Sequence, residues 1–224
     1  MKGPRATGYG QRAVCRSAYG MWTLRRISGF ALLLSHLFTY SQEQQIPLHN
    51  WWTFQQVGKE PWYPAQVPGT VHTDLLRHGL IPDPMRNNNV DSVQWIENED
   101  WIYRCTFNAN DSLFKHAHID LVFKGLDTFA EVYLNGSFLG KADNMFRSWE
   151  WPIKELLKPG DNELKVIFRS AIKEGGKLRD AYGIQLPHDN DPSGVSPYVR
   201  KAAYQFGWDF APRLVGAGYG RKWG

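Results

Sequence analysis

The sequence is poor in cysteine and has no acidic residue near its N-terminal end. Only two cysteines occur among 224 residues, and Cys15 precedes the region that we expect to fold, so Cys105 has no partner for an internal disulfide. Residues 1–41 contain six basic residues and no acidic one, whereas 20 basic and 22 acidic residues follow from Gln42 onward. The formal net charge of +4 therefore belongs to the N-terminal segment. The nearly neutral remainder argues against a nucleic-acid-binding protein.

A long hydrophobic run is also missing. The apolar stretch 27–38 follows two arginines and is too short to anchor a protein in a bilayer. With the small residues Thr39 and Ser41 behind it, this stretch is typical of a cleaved signal peptide. We therefore predict that residues 1–41 are an upstream extension and a signal peptide, with Met21 as an alternative start. The expected location is secreted or periplasmic, or lysosomal in a eukaryote, and a buried hydrophobic helix is the alternative interpretation.

Short alternating segments separated by turn residues follow after residue 100. Asn135-Gly136 is a strong hairpin signal, because both central positions of a two-residue turn need a positive φ. Strands are predicted at 50–55, 101–107, 118–123, 129–134, 137–141, 148–153 and 163–170. Six or more short strands at this spacing indicate an all-β fold, an antiparallel β-sandwich.

Two short helices and one long loop are expected among the strands. Thr70 can cap a helix over residues 71–77, and Gly79 then ends it. A second helix is predicted over 173–182 despite two adjacent glycines. Residues 183–197 form a polar loop with three prolines, and loops of this length are often functional.

Residues 198–214 carry the most distinctive pattern in the sequence. Aromatic residues occupy alternate positions: Tyr204, Phe206, Trp208 and Phe210. If the segment is extended, these rings share one face and Asp209 lies on the other. An indole can pack against the apolar face of a sugar, and a carboxylate can accept hydrogen bonds from its hydroxyls. The alternative is that the rings form half of a sandwich core and that Asp209 pairs with Arg213.

These motifs resemble a known family. Residues 206–213, Phe-Gly-Trp-Asp-Phe-Ala-Pro-Arg, are similar to the Trp-Asp-Trp-Gly-Pro signature of the β-mannosidases among the family 2 glycoside hydrolases. Further segments resemble the sugar-binding domain of that family in the same order: 67–76, 79–84, 100–103, 125–128 and 143–146. The resemblance implies a jelly-roll, galactose-binding-like domain over residues 42–214. Residues 215–224 then form an atypical tail, as in a truncated chain.

The resemblance also implies a function. It places the chain at the N-terminus of an exo-acting retaining β-mannosidase, which hydrolyses non-reducing terminal β-D-mannose. The catalytic glutamates of that family lie on a later TIM barrel, which this sequence does not resemble, so we assign no catalytic residue and expect the chain alone to be inactive. By the same resemblance, Asp209 and Trp208 bind the substrate, and Arg200 or Arg213 orients Asp209 from behind. The expected partners are a β-mannoside or manno-oligosaccharide and the missing barrel domain.

Other functions remain open. The chain could be a free-standing carbohydrate-binding module, or belong to a sibling β-galactosidase or β-glucuronidase on the same scaffold. Phe210-Ala211 stands where the signature more often has Trp-Gly. No cofactor, metal or membrane partner is expected, because residues 188–191 lack the ligand spacing of a calcium loop. Asn110 and Asn135 each begin an Asn-x-Ser glycan-acceptor pattern.

Overall fold

Two antiparallel sheets form the body of the protein. The computed structural model describes residues 12–16, 44–188 and 190–219. The strands are β1 (Arg12–Arg16), β2 (Gln44–Pro47), β3 (Trp52–Gln56), β4 (Tyr63–Pro64), β5 (Gly69–Thr70), β6 (Trp101–Ala109), β7 (His118–Phe123), β8 (Phe129–Leu134), β9 (Ser137–Asp143), β10 (Trp149–Pro152), β11 (Gly160–Phe168) and β12 (Gly218–Tyr219). The α-helices are α1 (Val71–Arg77), α2 (Asn89–Ser92) and α3 (Ala171–Tyr182). Short 3-10 helices occupy Gln94–Asn98, Leu113–Lys115, Lys154–Leu156, Ser196–Tyr198 and Ala203–Phe206.

The strand order confirms the predicted fold class. One sheet has six strands in the order β4-β3-β6-β11-β8-β9, the other has four in the order β10-β7-β1-β2, and β12 pairs with β5. Every pairing is antiparallel, as expected for a galactose-binding-like β-sandwich with short helices in its loops. Among the described residues, no helix has the length and apolar character needed to cross a bilayer.

Alternating side chains of the long strands fill the space between the sheets. β6 and β11 pair along their whole length, from Trp101 opposite Phe168 to Ala109 opposite Gly160. Their buried side chains alternate with more exposed ones, as predicted: Trp101, Tyr103, Cys105, Leu164, Val166 and Phe168. Full burial of one large apolar side chain contributes about 1.5–3 kcal/mol, so this alternation accounts for much of the cohesion between the sheets.

Two local predictions are confirmed in detail. Thr70 precedes α1, and its hydroxyl accepts a hydrogen bond from the Thr73 amide, while Gly79 beyond the helix has a φ of +64°. Asn135 and Gly136 join β8 to β9 with φ values of +52° and +83°, the backbone that a two-residue hairpin turn requires.

The boundaries of the domain differ from the predicted ones at both ends. β1, which lies within the predicted extension 1–41, pairs with both β2 and β7. The other residues of that extension, and with them the predicted signal-peptide cleavage site, lie outside the described residues. Residues 215–219, predicted to begin an atypical tail, belong to the folded body, because Val215, Ala217 and Tyr219 are buried.

Tyr219 lies at the centre of the core. Its ring centroid is 5.0–6.1 Å from the ring centroids of four aromatic side chains: Trp52, Tyr103, Phe123 and Phe168. β12, which carries it, pairs with β5, and the backbone of Gly218 exchanges hydrogen bonds with Asp127 at 2.9 and 3.2 Å. The last described residues of the chain therefore join the two sheets.

Residues 204–210 are not extended, although the interpretation of a shared aromatic face requires it. Ala203–Phe206 is a 3-10 helix, and a tight turn follows it. The four rings consequently do not share one face: Phe206 is buried in a small core with Ala171, Val195, Val199 and Val215, whereas Tyr204, Trp208 and Phe210 are exposed. The aromatic residues are spaced as in a strand, but of the four only Phe206 packs in a core.

Candidate functional site

Trp208 and Asp209 lie on a two-residue turn that projects from the domain. The Trp208 amide donates to the Ala211 carbonyl, and the Ala211 amide donates back to the Trp208 carbonyl, both at 3.0 Å. Asp209 and Phe210 are thus the tip of the turn. Gly207 precedes it with a φ of +102°, a backbone that side-chain-bearing residues rarely adopt.

The side chains of this turn face solvent. Trp208 is 51% exposed and Phe210 is 85% exposed. Asp209 is exposed as well, and it forms no hydrogen bond or ion pair with the residues that the structure describes. A carboxylate that the described residues leave unpaired, next to an exposed indole, can accept hydrogen bonds from a ligand.

Arg213 holds the base of the turn. Its Nε and one terminal nitrogen bind the two carboxylate oxygens of Glu97, each at 3.0 Å. The other terminal nitrogen binds Asp191 Oδ1 at 2.7 Å and the Phe206 carbonyl at 3.1 Å. The Arg213 side chain is only 13% exposed. A planar guanidinium with two-pronged bonds fixes direction as well as distance, so the ends of the turn are held in one geometry.

Asp191 organises the loop that precedes this segment. One carboxylate oxygen accepts hydrogen bonds from the Ser193 amide and hydroxyl, and the other accepts from the Val195 and Ser196 amides at 2.8 Å each. Burial favours the neutral acid, but the bonds from Ser193, Ser196 and Arg213 outweigh it and lower the pKa of Asp191 to about 2. Asp191 is therefore an anion at neutral pH and a strong partner for Arg213.

The pKa of Glu97, the second carboxylate that Arg213 binds, is raised rather than lowered. Burial raises its pKa, and neighbouring Asp191 adds to that rise, although Arg213 opposes both. Two acids that share one guanidinium thus have pKa values displaced in opposite directions. The difference follows from hydrogen bonding, because Asp191 also accepts several backbone and hydroxyl hydrogen bonds.

A buried ion pair fixes the start of the same segment. Lys201 Nζ lies 2.6 Å from Asp127 Oδ1 and 2.7 Å from the Gly216 carbonyl oxygen. Gln205 donates to the other oxygen of Asp127 at 2.9 Å. Burial lowers the pKa of Lys201, and the charge of Asp127 opposes that shift. Lys201 and Gln205 therefore attach the chain to the sandwich before the Trp208–Ala211 turn, and Arg213 attaches it after the turn.

The structure separates the two predicted supporting arginines from Asp209. Arg213 bonds to Glu97 and Asp191, so it supports the turn from its base rather than by touching the acid. Arg200 is exposed, and its backbone pairs with Asn144 beside β9. No contact joins Arg200 to Asp209 among the described residues.

Trp208 and Asp209 do not line the grooves found elsewhere on the domain. A groove of about 960 Å³ runs between α3 and the β8–β9 hairpin, with Arg169, Glu131 and Trp149 among its lining residues. A second, of about 620 Å³, follows the loop from Gln185 to Pro192. The Trp208–Ala211 turn protrudes instead, so a sugar bound there would need a second surface to enclose it.

Sequence reasoning missed the charged residues that support the turn. Glu97 and Arg213 are 116 positions apart, and Asp127 and Lys201 are 74 apart, so no local pattern pairs them. In the sequence, Asp191 belongs to a stretch, 188–191, whose only suggestion is a calcium loop with the wrong ligand spacing. Across the described residues, no cluster of three or more His, Cys, Asp or Glu side chains is placed to hold a metal ion.

Comparison with known proteins identifies the family. The family described as "Glycosyl hydrolase 2 galactose-binding domain-like" matches residues 52–221. The chain belongs to this family. The match extends past Leu214, in agreement with the buried positions of residues 215–219. The predicted resemblance and the galactose-binding-like fold are therefore confirmed.

Relatives of this galactose-binding-like domain are β-mannosidases. β-Mannosidase B of Thermothelomyces thermophilus is 40% identical over 182 residues, which cover 77% of this chain and 20% of the relative. β-Mannosidase of Mus musculus is 34% identical over 161 residues, which cover 69% of this chain and 18% of the relative. The crystal structure of β-D-mannosidase from Dictyoglomus thermophilum matches with a TM-score of 0.74 and 44% identity over 77% of this chain and 21% of its own. The chain thus spans about a fifth of each relative.

Proposed function

We propose that this domain is the N-terminal, non-catalytic part of an exo-acting retaining β-mannosidase that removes non-reducing terminal β-D-mannose. The observation that carries the proposal is the carboxylate of Asp209, which no described residue pairs with, beside Trp208 on a projecting turn that Arg213 holds rigid. The similarity to proteins named β-mannosidases supports it and favours mannosides over the substrates of sibling enzymes.

In this proposal the domain supplies specificity rather than bond cleavage. A retaining glycosidase needs a general acid and a nucleophile about 5–5.5 Å apart on either side of the scissile bond, and we assign neither to this chain. Asp209 instead accepts hydrogen bonds from hydroxyls of the terminal sugar, and Trp208 forms a wall beside it. An epimer that leaves the enclosed carboxylate unpaired loses about 1–3 kcal/mol of transition-state binding, which is enough to select one sugar.

The shape of the turn supports a shared site. Asp209 and Trp208 are exposed and line neither of the two grooves described above, which supports an enclosing surface from another part of the longer molecule. We propose that this part is a catalytic barrel in the longer protein. We also propose that the apolar run 27–38 and the two arginines before it direct export, to a secreted, periplasmic or lysosomal destination.

The proposal predicts a kinetic effect of Asp209→Asn without a stability effect. In the complete enzyme we expect kcat/KM for an aryl β-mannoside to fall about 100-fold, because one charge-assisted hydrogen bond is worth roughly 1.5–3 kcal/mol. The free energy of unfolding should change by less than about 0.5 kcal/mol, since Asp209 is exposed. Asp180→Asn, on the exposed face of α3, is the matched control. Equal kcat/KM in wild type and Asp209→Asn would contradict the proposal.

A second candidate, a carbohydrate-binding module that acts without a barrel, is favoured by the exposure of Trp208 and Phe210. Titration of the 224-residue chain with mannose and manno-oligosaccharides by calorimetry separates the two functions. A dissociation constant of about 1 mM or tighter for the chain alone, lost in Trp208→Ala, would support the module. No binding by the chain alone is the outcome that the shared site predicts.

A further inference from the structure

We propose that Asn110 is an N-glycosylation site of this chain and that Asn135, which has the same sequence pattern, is not. Asn110-Asp111-Ser112 and Asn135-Gly136-Ser137 both satisfy the Asn-x-Ser pattern that accepts N-linked glycans. Sequence alone does not distinguish them. The hydrogen bonds of the two side-chain amides do.

The amide nitrogen of Asn110 is available. Asn110 is exposed and follows the last residue of β6. Its side-chain oxygen accepts hydrogen bonds from the Leu113 amide at 3.2 Å and the Ser112 hydroxyl at 2.6 Å. Its Nδ2 donates to no acceptor among the described residues. A sugar attached at this nitrogen would project into solvent and break none of these bonds.

Both hydrogens of the Asn135 side-chain amide are engaged in hydrogen bonds. Its Nδ2 donates to the Leu156 carbonyl and to the Asn162 side-chain oxygen, both at 2.8 Å. Its Oδ1 accepts from the Glu163 amide at 3.1 Å. An N-linked sugar replaces one of the two N–H bonds, so it removes a donor. It would also occupy the space between the hairpin turn and the chain at Leu156 or Asn162.

The transfer reaction explains why these bonds matter. The Asn110 Nδ2 attacks the anomeric carbon of an oligosaccharide carried on a polyprenyl diphosphate and loses one proton. A nitrogen–carbon bond forms, the carbon–oxygen bond to the diphosphate breaks, and the polyprenyl diphosphate leaves. The host transferase acts on chains that enter the secretory pathway. A chain modified at Asn135 cannot complete the β8–β9 turn in its observed form, whereas one modified at Asn110 folds unchanged.

The glycan would lie far from the proposed sugar site. β6 begins at Trp101, close to the Asp100–Arg169 pair and to Glu97, which holds Arg213. It ends at Ala109, beside Asn110. Eight steps of about 3.3 Å separate the two ends of the strand by roughly 25 Å. A glycan on Asn110 therefore leaves the Trp208–Ala211 turn accessible. The inference does not depend on the proposed mannosidase function, but it rests on the proposed export into a secretory pathway.

The test is secretion of the full chain from a eukaryotic cell behind an added cleavable leader, so that entry into the pathway does not rely on residues 1–41. Enzymatic removal of N-glycans should reduce the mass of the secreted chain by one glycan and convert Asn110 to aspartate, a gain of about 1 Da in its peptide. Asn110→Gln and Ser112→Ala should each abolish the mass shift.

Ser137→Ala is the matched control. It destroys the second sequence pattern but keeps the Asn135 side chain and its three hydrogen bonds, so the single-glycan shift should remain. Three results would overturn the inference: a secreted wild-type chain without glycan, a glycan that survives Asn110→Gln, or a second glycan that Ser137→Ala removes.

Discussion

Arg213 supports the proposed sugar site without touching the residue at its centre. Its guanidinium joins three parts of the chain that are distant in sequence: Glu97 before β6, Asp191 in the long loop, and the carbonyl of Phe206 at the start of the turn. Asp191 and Phe206 are buried, and the Glu97 side chain is 12% exposed. The position of Asp209 therefore depends on a network of charges beneath the turn.

We predict that Arg213→Met destabilises the domain by about 3 kcal/mol. Removing one member of a buried charge network leaves its partners, here the carboxylates of Glu97 and Asp191, without their counter-ion. Urea unfolding followed by tryptophan fluorescence measures the change. The matched control is Arg86→Met, because Arg86 pairs with Asp83 on the exposed surface and should cost less than about 1 kcal/mol. Equal losses of unfolding free energy in the two variants would contradict the prediction, because the buried network would then contribute no more than an exposed ion pair.

Single residues also show where sequence reasoning stops. Trp208 and Asp209 were singled out by their residue types and by the resemblance; the structure places both at the surface, and their role in binding stays a prediction. The support by Glu97, Asp191 and Asp127 could not be predicted, because pairing between residues 22 to 116 positions apart depends on the folded arrangement of the chain.

At the scale of elements, α3 contains two adjacent glycines with different surroundings. An added Cβ at Gly175 would lie 2.8 Å from Val199 Cγ1 and 3.0 Å from Val195 Cβ, whereas at Gly176 nothing lies within 4 Å. Gly175 therefore allows the helix to approach the small core formed with Phe206. Gly176 has no such role in the described structure.

We predict opposite effects for alanine at these two positions. Gly176→Ala should stabilise the domain by about 0.5–1 kcal/mol, because alanine restricts the unfolded chain and favours the helix. Gly175→Ala should destabilise it by about 1–3 kcal/mol through overpacking against Val195 and Val199. Thermal unfolding of both variants gives the comparison, and the same sign for both would contradict this account of helix packing.

Strands and turns could be predicted from the sequence where residues close together in the chain determine them. Alternation identified β6, β7 and β11, and the pair Asn135-Gly136 identified the β8–β9 hairpin, because burial on one face and a positive φ are local requirements. The same rule failed at residues 204–210. There the rings have strand-like spacing, but Gly207 and the two hydrogen bonds between Trp208 and Ala211 turn the chain back on itself.

At the scale of the whole molecule, stability should fall on mild acidification because of His72. Burial, together with the nearby charge of Lys201, lowers the pKa of His72 from 6.5 to about 4. Between these values the unfolded chain binds a proton that the folded chain does not. The free energy of unfolding is therefore highest above pH 6.5. It decreases as the pH falls towards 4, by about 3 kcal/mol in total.

The variant His72→Gln tests this prediction. Its free energy of unfolding, measured in urea from pH 7 to pH 5, should decrease by about 2 kcal/mol less than that of the wild type. His118→Gln, which removes an exposed imidazole at the start of β7, is the matched control, and the decrease in His72→Gln should be smaller than in this variant as well. Parallel curves for wild type and His72→Gln would contradict the assignment.

The central place of Tyr219 has a consequence for how the protein is made. The ring that touches four core aromatics belongs to the last described strand, and β5, its pairing partner, is synthesised about 150 residues earlier. A ribosome-bound chain that ends before Tyr219 contains the strands of both sheets but lacks the ring that packs between them. We expect the nascent domain to keep apolar side chains exposed until β12 leaves the exit tunnel.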